Sequence, residues 1–254
     1  LPFVESMFNT HAYSRSRASG YWQFMPATWH FLKGTIPDLW GKYKMKGSPA
    51  IDRRNDPIPS SYAAAAYLHY LHDIAVIKNW PLALTAYNQG PGTIMTLRKR
   101  LGMTKDISEI VNKGRARRFR HDGRNYYAQF LAVLELESNV DKYFGAVKVA
   151  SPIAYDSITL NAPLSFAGLS EFFKRDKDDG VATARMYNPF LSRRVVNGKY
   201  GIPAGEELRV PKGLKEKFLA VFNTLTTIAP KVIVPEEGIH VVRRGENLSI
   251  IAAE

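Results

Sequence analysis

The sequence predicts a mainly α-helical domain over residues 1–148 and a small α+β module over residues 149–229. The first part contains segments rich in alanine and leucine, which favour helices, and glycine and proline mark the ends of these segments. From about residue 150 the pattern changes to short, partly alternating segments that are typical of strands. A chain of 254 residues is long enough for a medium domain and a small one.

Three segments indicate the helices of the first domain. An alanine-rich run predicts a helix over 60–78, with Ser60 as a candidate N-cap. A proline in the first turn and a Gly-Pro-Gly stop predict a second helix over 81–88. A third helix is predicted over 124–138, because one face would carry most of the apolar residues Tyr127, Phe130, Leu131, Leu134 and Leu136.

The second module is predicted to contain a strand, two helices and a second strand, in that order. The strands are predicted over 153–160 and 207–211, and the helices over 165–174 and 181–187. Residues 230–254 are interpreted as a linker followed by the start of another module, which would contain a strand, a glycine turn and the beginning of a helix.

Charge and composition narrow the classes of partner. The chain has 35 Lys and Arg against 23 Asp and Glu, so its net charge is +12, which favours a polyanionic partner. It has no cysteine, so disulfides and thiolate metal sites are excluded. His69 and His72 lie three residues apart, but no third ligand accompanies them, and we expect no metal and no cofactor. We also expect no transmembrane segment, because no run of apolar residues is long enough.

A basic segment at 98–124 holds ten of the Lys and Arg residues. A solvated basic loop is the simplest interpretation. A contact with an anionic wall polymer or its peptide carboxylates is the functional alternative. Nucleic acid is disfavoured, because the segment matches no groove-reading or base-stacking motif.

Three short clusters carry the functional signal. They are Glu5-Ser6 between apolar neighbours, the run Gly20-Tyr21-Trp22-Gln23-Phe24-Met25-Pro26, and the run Ala86-Tyr87-Asn88-Gln89-Gly90. With Asn125-Tyr126 and the following Phe-Leu-Ala, they resemble the lysozyme-like lytic transglycosylases of glycoside hydrolase family 23, and in particular the membrane-bound lytic murein transglycosylase D type. The resemblance covers roughly the first 140 residues. It implies a lysozyme-like fold for the first domain.

The resemblance implies that Glu5 is the catalytic acid and base. A glycosidic oxygen leaves only when protonated, so the carboxyl must stay neutral near pH 7, and an apolar wall achieves this by raising its pKa. We expect that wall to come from Val4, Met7, Phe8, Trp22 and Phe24. The motifs contain no second carboxylate, which agrees with a family in which the N-acetyl group of the substrate assists and a 1,6-anhydro sugar forms.

Other roles are implied residue by residue. Ser6, Gln23, Tyr87, Asn88 and Tyr126 are the expected substrate-binding residues. Three departures from the family pattern are candidate specificity determinants: Arg17 replaces a glycine, Tyr21 replaces a leucine and Gln89 replaces an alanine. They leave the acid intact, so hydrolysis in the manner of lysozyme, on the same or a deacetylated glycan, remains an alternative.

The second module resembles a degenerate LysM unit, a small peptidoglycan-binding β-α-α-β fold. The likeness includes Leu169–Phe173, Tyr187–Phe190 and Ile202–Pro211, and residues 240–252 resemble the opening of another LysM unit. A catalytic head with glycan-binding modules is coherent, because weak contacts raise the local concentration of substrate.

The sequence thus favours an enzyme that cuts the β-1,4 bond between N-acetylmuramic acid and N-acetylglucosamine. A non-catalytic wall-binding protein on the same scaffold is the alternative from another class, and a basic nucleic-acid binder is a third. The resemblance further implies a monomer in the bacterial periplasm or cell envelope, with peptidoglycan strands as its partner and an export signal outside the given residues.

Overall fold

A computed structural model describes residues 1–75, 77–117, 119–174 and 179–229. The chain divides into two compact units, Leu1–Ile153 and Ala154–Glu254. Both contain more helix than strand, so the expectation of a mainly helical chain is confirmed. The expected linker and module start within 230–254 lie outside the described residues. Among the described residues, no helix combines the length and apolar character needed to span a membrane.

The regular elements of the first unit, within its described part, are helices joined by loops and turns. Its helices are α1 (Pro2–Ser6), α2 (Pro26–Thr35), α3 (Pro37–Lys42), α4 (Pro57–His69), α5 (Trp80–Gln89), α6 (Pro91–Arg100), α7 (Ile107–Lys113), α8 (His121–Ser138) and α9 (Val140–Phe144). A 3₁₀ turn spans Arg53–Asn55, and a π-helical turn spans Tyr70–Ile74. Proline begins five of these helices, a position at which its missing N–H costs no hydrogen bond.

The alanine-rich helix begins earlier and ends differently than the sequence predicts. It starts at Pro57, and the carboxylate of Asp56 caps it by accepting from the Ile58 N–H. Ser60 therefore lies inside the helix, where its hydroxyl donates to the Asp56 carbonyl at 2.5 Å. The α-helix ends at His69 and continues as the π-helical turn, so the predicted helix over 60–78 was wrong at both ends.

The predicted helix over 81–88 corresponds to α5. Asn79 caps it by accepting from the Leu82 N–H at 3.0 Å. Gly90 ends it with φ +79°, a left-handed backbone angle that glycine adopts without strain.

Helix α8 confirms the predicted helix over 124–138 but not its apolar face. Its buried side centres on Gly123 and Tyr126. Leu131 and Leu134 are instead 46% and 40% exposed. Tyr126 is 2% exposed, although the apolar pattern did not single it out for burial. The helix therefore turns a tyrosine hydroxyl toward the interior.

The core of the first unit lies between α2, α4, α5 and α6. Its largest members include Trp29, Leu32, Met45, Leu71, Leu82, Ile94 and Leu97. Phe24 also belongs to this core, at 2% exposure, and its ring packs against Trp29, Tyr67 and Tyr87. The motif around Gln23 is therefore anchored to the core by the next residue along the chain.

The second unit is a small α+β structure. It comprises β1 (Tyr155–Thr159), α10 (Phe166–Lys174), α11 (Gly180–Tyr187), α12 (Arg193–Val196), β2 (Glu207–Pro211) and α13 (Lys215–Thr226). The two strands pair antiparallel, with Ser157 opposite Arg209. The two predicted strands and the two predicted helices are present in the predicted order, but the short helix α12 lies between α11 and β2. Helices α12 and α13 were not predicted.

Asn188 connects α11 to β2 in the second unit. Its side-chain amide donates to the Arg209 carbonyl at 2.9 Å and accepts from the Arg209 N–H at 2.7 Å. The side chain thereby satisfies both backbone groups of a strand residue, as a neighbouring strand would. Its burial, at 1% exposure, is consistent with this structural role.

Candidate active site

Glu5 lies near the end of α1, and its carboxyl faces α8. The Tyr126 hydroxyl donates to Glu5 Oε1 at 2.6 Å. Burial raises the pKa of Glu5 above its ordinary value, and the hydrogen bond from Tyr126 opposes this rise because it favours the charged carboxylate. The net rise keeps more of the carboxyl protonated at a given pH than a solvated glutamate would be.

Tyr87 lies beside the same carboxyl. Burial raises the pKa of Tyr87 well above its ordinary value, and the negative charge of Glu5 raises it further. Its hydroxyl donates to the Trp22 carbonyl at 2.8 Å. Tyr87 is thus neutral and fixed, and it joins α5 to the loop that carries Gln23.

Ser6 connects α1 to that loop. Its hydroxyl donates to the Tyr21 carbonyl at 2.9 Å. The ring of Tyr21 makes an edge contact with Phe8, and Phe8 makes one with Phe3. Ser6 and Tyr21 therefore hold the position of α1, and with it the position of Glu5.

Gln23 is held by the backbone of its own loop. Its side-chain amide donates to the carbonyls of Gly20, at 2.8 Å, and Ala12, at 3.2 Å. Gln23 itself has φ +47°, in the left-handed region that non-glycine residues seldom adopt. The two hydrogen bonds fix the amide so that its oxygen remains oriented.

Asn88 and Gln89 end α5 on a more open surface. Asn88 is exposed, and its side-chain oxygen accepts a hydrogen bond from the Gln89 amide. A Cβ atom on Gly123 would lie 2.5 Å from Gln89 Cδ, so Gln89 packs closely on the first turn of α8. A larger residue at position 123 would therefore require the Gln89 side chain to move.

Arg17 occupies a backbone position that favours glycine, so its departure from the family pattern carries a conformational cost. Its φ is +69°, in the left-handed region that favours glycine. Its side chain is exposed, and its carbonyl accepts from Arg54 Nη1 at 2.7 Å. The backbone angle therefore explains why a glycine suits this position.

The apolar wall around Glu5 differs from the sequence expectation. Met7 is 79% exposed and Phe8 is 46% exposed, so neither encloses the carboxyl as predicted. Met7 and Phe8 both have positive φ, because α1 ends at Met7 in a left-handed cap. The side chains of Tyr126 and Tyr87, from α8 and α5, lie beside the Glu5 carboxyl instead.

Arg54 is a structural determinant of the site that sequence reasoning missed. Its guanidinium forms a two-pronged ion pair with Asp52, at 2.9 and 2.7 Å. Its Nη1 also donates to the carbonyls of Arg17 and Phe24, at 2.7 and 2.9 Å. One side chain therefore fastens both ends of the loop that contains Gln23.

The neighbours of Arg54 reinforce this attachment. The Ser19 hydroxyl donates to Asn55 Oδ1 at 2.6 Å. Gly20 approaches so closely that a Cβ atom would lie 2.1 Å from the Arg54 carbonyl oxygen, and its φ is +78°. A glycine is thus required at position 20. The cluster of charged residues over 52–56 was the sequence signal for this attachment.

Possible metal ligands do not converge in the described part of the chain. Within it, no group of three or more His, Asp or Glu side chains has an arrangement suited to a metal ion. His69 and His72 both place Nδ1 at 2.7 Å from Asp73, so this pair shares one carboxylate.

Comparison with known proteins finds one family model that matches the first part of the chain. Residues 1–110 match the family model described as Transglycosylase SLT domain. "Membrane-bound lytic murein transglycosylase D" of Escherichia coli, strain K12, is 23% identical over 265 aligned positions, which cover 100% of this chain and 52% of that protein. The corresponding protein of E. coli O6:H1 gives the same values.

Two further matches cover less of the chain. "Putative tributyltin chloride resistance protein" of Alteromonas sp. (strain M-1) is 35% identical over 113 residues, which is 44% of each protein. The crystal structure of the 70 kDa soluble lytic transglycosylase SLT70 of E. coli covers 52% of this chain and 19% of that one, with 24% identity and a TM-score of 0.39. The chain spans about half the length of the curated relatives it matches.

Replacing Arg54 with methionine should destabilise the first unit. The change keeps the apolar stem but removes the ion pair and both carbonyl contacts, and hydrogen bonds from a charged group contribute about 1.5–3 kcal/mol each before relaxation. We expect a loss of about 2–3 kcal/mol in the free energy of unfolding, measured by chemical denaturation. Arg15→Met, at an exposed arginine of the same loop, is the matched control. Equal stability of the two variants would contradict the structural role assigned to Arg54.

Proposed function

We propose that the chain cleaves the β-1,4 bond between N-acetylmuramic acid and N-acetylglucosamine in peptidoglycan, as a lytic transglycosylase. The observation that carries the proposal is the partly buried carboxyl of Glu5, which has a raised pKa and one fixed hydroxyl donor, Tyr126. The match of residues 1–110 to the transglycosylase SLT domain supports it independently. The names of the E. coli relatives point to the same substrate.

Glu5 would act first as an acid and then as a base. Its proton passes to the glycosidic oxygen while the bond from that oxygen to C1 of the sugar breaks. The N-acetyl oxygen of the substrate stabilises C1. The 6-hydroxyl of the same sugar then attacks C1, and the Glu5 carboxylate takes its proton, which yields the 1,6-anhydro sugar and regenerates the acid.

The neighbours of Glu5 would hold it ready for both steps. The Tyr126 hydroxyl stabilises the carboxylate that forms after proton transfer, and Tyr87 stays neutral beside it. Ser6 and Gln23 are committed to backbone carbonyls, so we assign them to positioning the site and leave the Gln23 oxygen for a sugar hydroxyl. Asn88 is exposed and is the residue most open to a sugar.

Specificity would depend on the edges of the site. Tyr21 and Gln89 add bulk where the family has leucine and alanine, and Arg17 adds a positive charge. These residues leave the acid in place. Hydrolysis in the manner of lysozyme, on the same or a deacetylated glycan, is therefore the second candidate, in which water replaces the 6-hydroxyl as the attacking group.

We propose a cell-envelope location and a monomeric enzyme for this chain. The names of the E. coli relatives include the words membrane-bound and murein, and the net charge of +12 suits an anionic polymer. The proposed acid and its neighbours all belong to the first unit of one chain, which is why we propose a monomer.

We further propose that the second unit is a LysM-like glycan-binding module. Its antiparallel strand pair and the helices α10 and α11 between the two strands support the assignment, and the short helix α12 before β2 is an addition to the LysM plan. Helix α13 is an addition to that plan, and its Phe218 and Phe222 belong to the buried core of the unit.

Glu5→Gln should abolish digestion of purified peptidoglycan sacculi. The amide keeps the shape but has no acidic proton, so the rate should fall by about 10²–10⁴-fold, measured as release of soluble fragments. Glu137→Gln, at an exposed glutamate of α8, should retain the parent rate.

The products of the same digestion distinguish the candidate functions. Mass spectrometry should find 1,6-anhydro ends, whereas reducing ends would assign the chain to hydrolysis. Unchanged digestion by Glu5→Gln would remove the acid assignment. Binding to sacculi without digestion by the parent chain would favour a non-catalytic wall-binding protein.

Titration with N-acetylglucosamine oligomers tests the second unit. In the Glu5→Gln chain, amide NMR resonances within 154–229 should shift as the oligomer saturates the module. Shifts confined to residues 1–153 would contradict the LysM-like assignment while leaving the first unit as a glycan-binding domain.

A further inference from the structure

An arginine-lined cavity lies in the first unit at the amino end of α8. Its volume is about 560 Å³, and its lining includes Arg100, Arg115, Arg117, Arg120, Arg124 and Phe119. The cavity is open to solvent, and its lining comes from the end of α6, the segment after α7 and the first turn of α8. Five guanidinium groups thus share one concave surface.

Within the described parts of the chain, no acidic side chain neutralises these arginines. Among the described residues, no carboxylate lies within ion-pair distance of the five guanidinium groups. The three acidic residues of segment 98–124 are engaged elsewhere: Asp106 caps α7, Glu109 pairs with Lys113 and Asp122 lies beside His121. The positive charge of the cavity is therefore available to an anion from solution.

Backbone contacts hold part of the cavity in place. Arg124 donates to the carbonyls of Gly114 and Val111, and its guanidinium lies 5.3 Å from the centre of the Phe119 ring. Arg100 donates to the Arg115 carbonyl at 2.8 Å. Each of these contacts uses only some of the five N–H donors of a guanidinium, so the others remain for a ligand.

Arg117 and Arg120 form the more exposed part of the lining. Both side chains are exposed, and the Arg120 Nε donates to the Arg117 carbonyl at 3.1 Å. A planar guanidinium donates two parallel hydrogen bonds to a carboxylate or phosphate, which an ammonium group does not. Arg117 and Arg120 can therefore be substituted while the contacts of Arg100 and Arg124 to backbone carbonyls are kept.

The cavity lies on the same helix as the partner of Glu5. Arg120 precedes Tyr126 by six residues, which corresponds to about 9 Å along the helix axis. Gly123, between them, contacts Gln89. An extended peptide spans about 3.3 Å per residue, so three to five residues attached to a sugar beside Glu5 are long enough to cover this distance.

We propose that this cavity binds the carboxylates of an acidic peptide, of the kind that substitutes a peptidoglycan glycan strand. The inference rests on the proposed function for its choice of peptide over other anions. Phe119 is 2% exposed, so the cavity offers no free aromatic face for stacking a nucleic-acid base. The cavity would orient the peptide while the glycan lies beside Glu5.

Direct binding tests this assignment without any cleavage. The probe is an N-acylated tetrapeptide with two free carboxylates, titrated calorimetrically into the full chain carrying Glu5→Gln. Arg117→Ala with Arg120→Ala should weaken binding by about tenfold or more, because each lost fork removes a charge-assisted contact. Lys33→Ala with Lys46→Ala, at two exposed lysines of the same unit, removes equal charge and should change affinity less than twofold.

Two further comparisons separate recognition from general attraction. Arg117→Lys with Arg120→Lys keeps the charge but loses the fork, so its affinity should fall between those of the parent and the alanine variant. Amidation of both peptide carboxylates should weaken binding by at least tenfold.

Three results would overturn the proposal. The first is equal affinity of the Arg117→Ala, Arg120→Ala variant and the Lys33→Ala, Lys46→Ala control for the peptide. The second is equal affinity of the chain for the amidated and the free peptide. The third is tighter binding of inorganic pyrophosphate or duplex DNA than of the peptide. The last result would assign the cavity to phosphate. If the peptide binds as expected but the parent chain, with Glu5 intact, does not digest sacculi, the proposed cleavage alone fails.

Discussion

The hydrogen bond from Tyr126 to Glu5 joins two residues that are 121 positions apart. It closes α1 onto α8 and fixes the carboxyl where burial raises its pKa. The two effects oppose each other: burial favours the neutral acid, and the hydroxyl favours the carboxylate. A group that gives and later takes back a proton needs both states to be accessible. The rest of the first unit can be understood as the support that keeps this carboxyl in place.

That support consists largely of polar contacts to backbone carbonyls. Ser6 bonds to Tyr21, Tyr87 bonds to Trp22 and Gln23 bonds to Gly20. Arg54 holds both ends of the loop through Arg17 and Phe24. Several residues there have positive φ without being glycine, a strained arrangement that persists only where the surroundings over-determine it. Most of the motif residues thus hold the backbone of the site in place, and fewer of them remain free to contact a ligand.

The sequence predicted local features well and distant contacts poorly. Helix α5 followed from its proline and glycine boundaries, and the strands of the second unit followed from alternation, because these signals act within a few residues. Arg54 was missed because its acceptors lie 30 and 37 residues away. The predicted wall of Met7 and Phe8 was wrong because a left-handed cap at Met7 reverses the chain. The exposed leucines of α8 were misassigned because apolar spacing does not report which face meets a neighbour.

The most direct test is a measurement of the Glu5 pKa itself. Carbon-13 NMR of the labelled glutamate carboxyl, followed against pH, should give a pKa above that of a solvated glutamate, and Tyr126→Phe should raise it further by removing the hydrogen bond to the charged form. A short peptide with one solvated glutamate serves as the reference. A Glu5 pKa at or below the reference value, or one unchanged by Tyr126→Phe, would contradict the account.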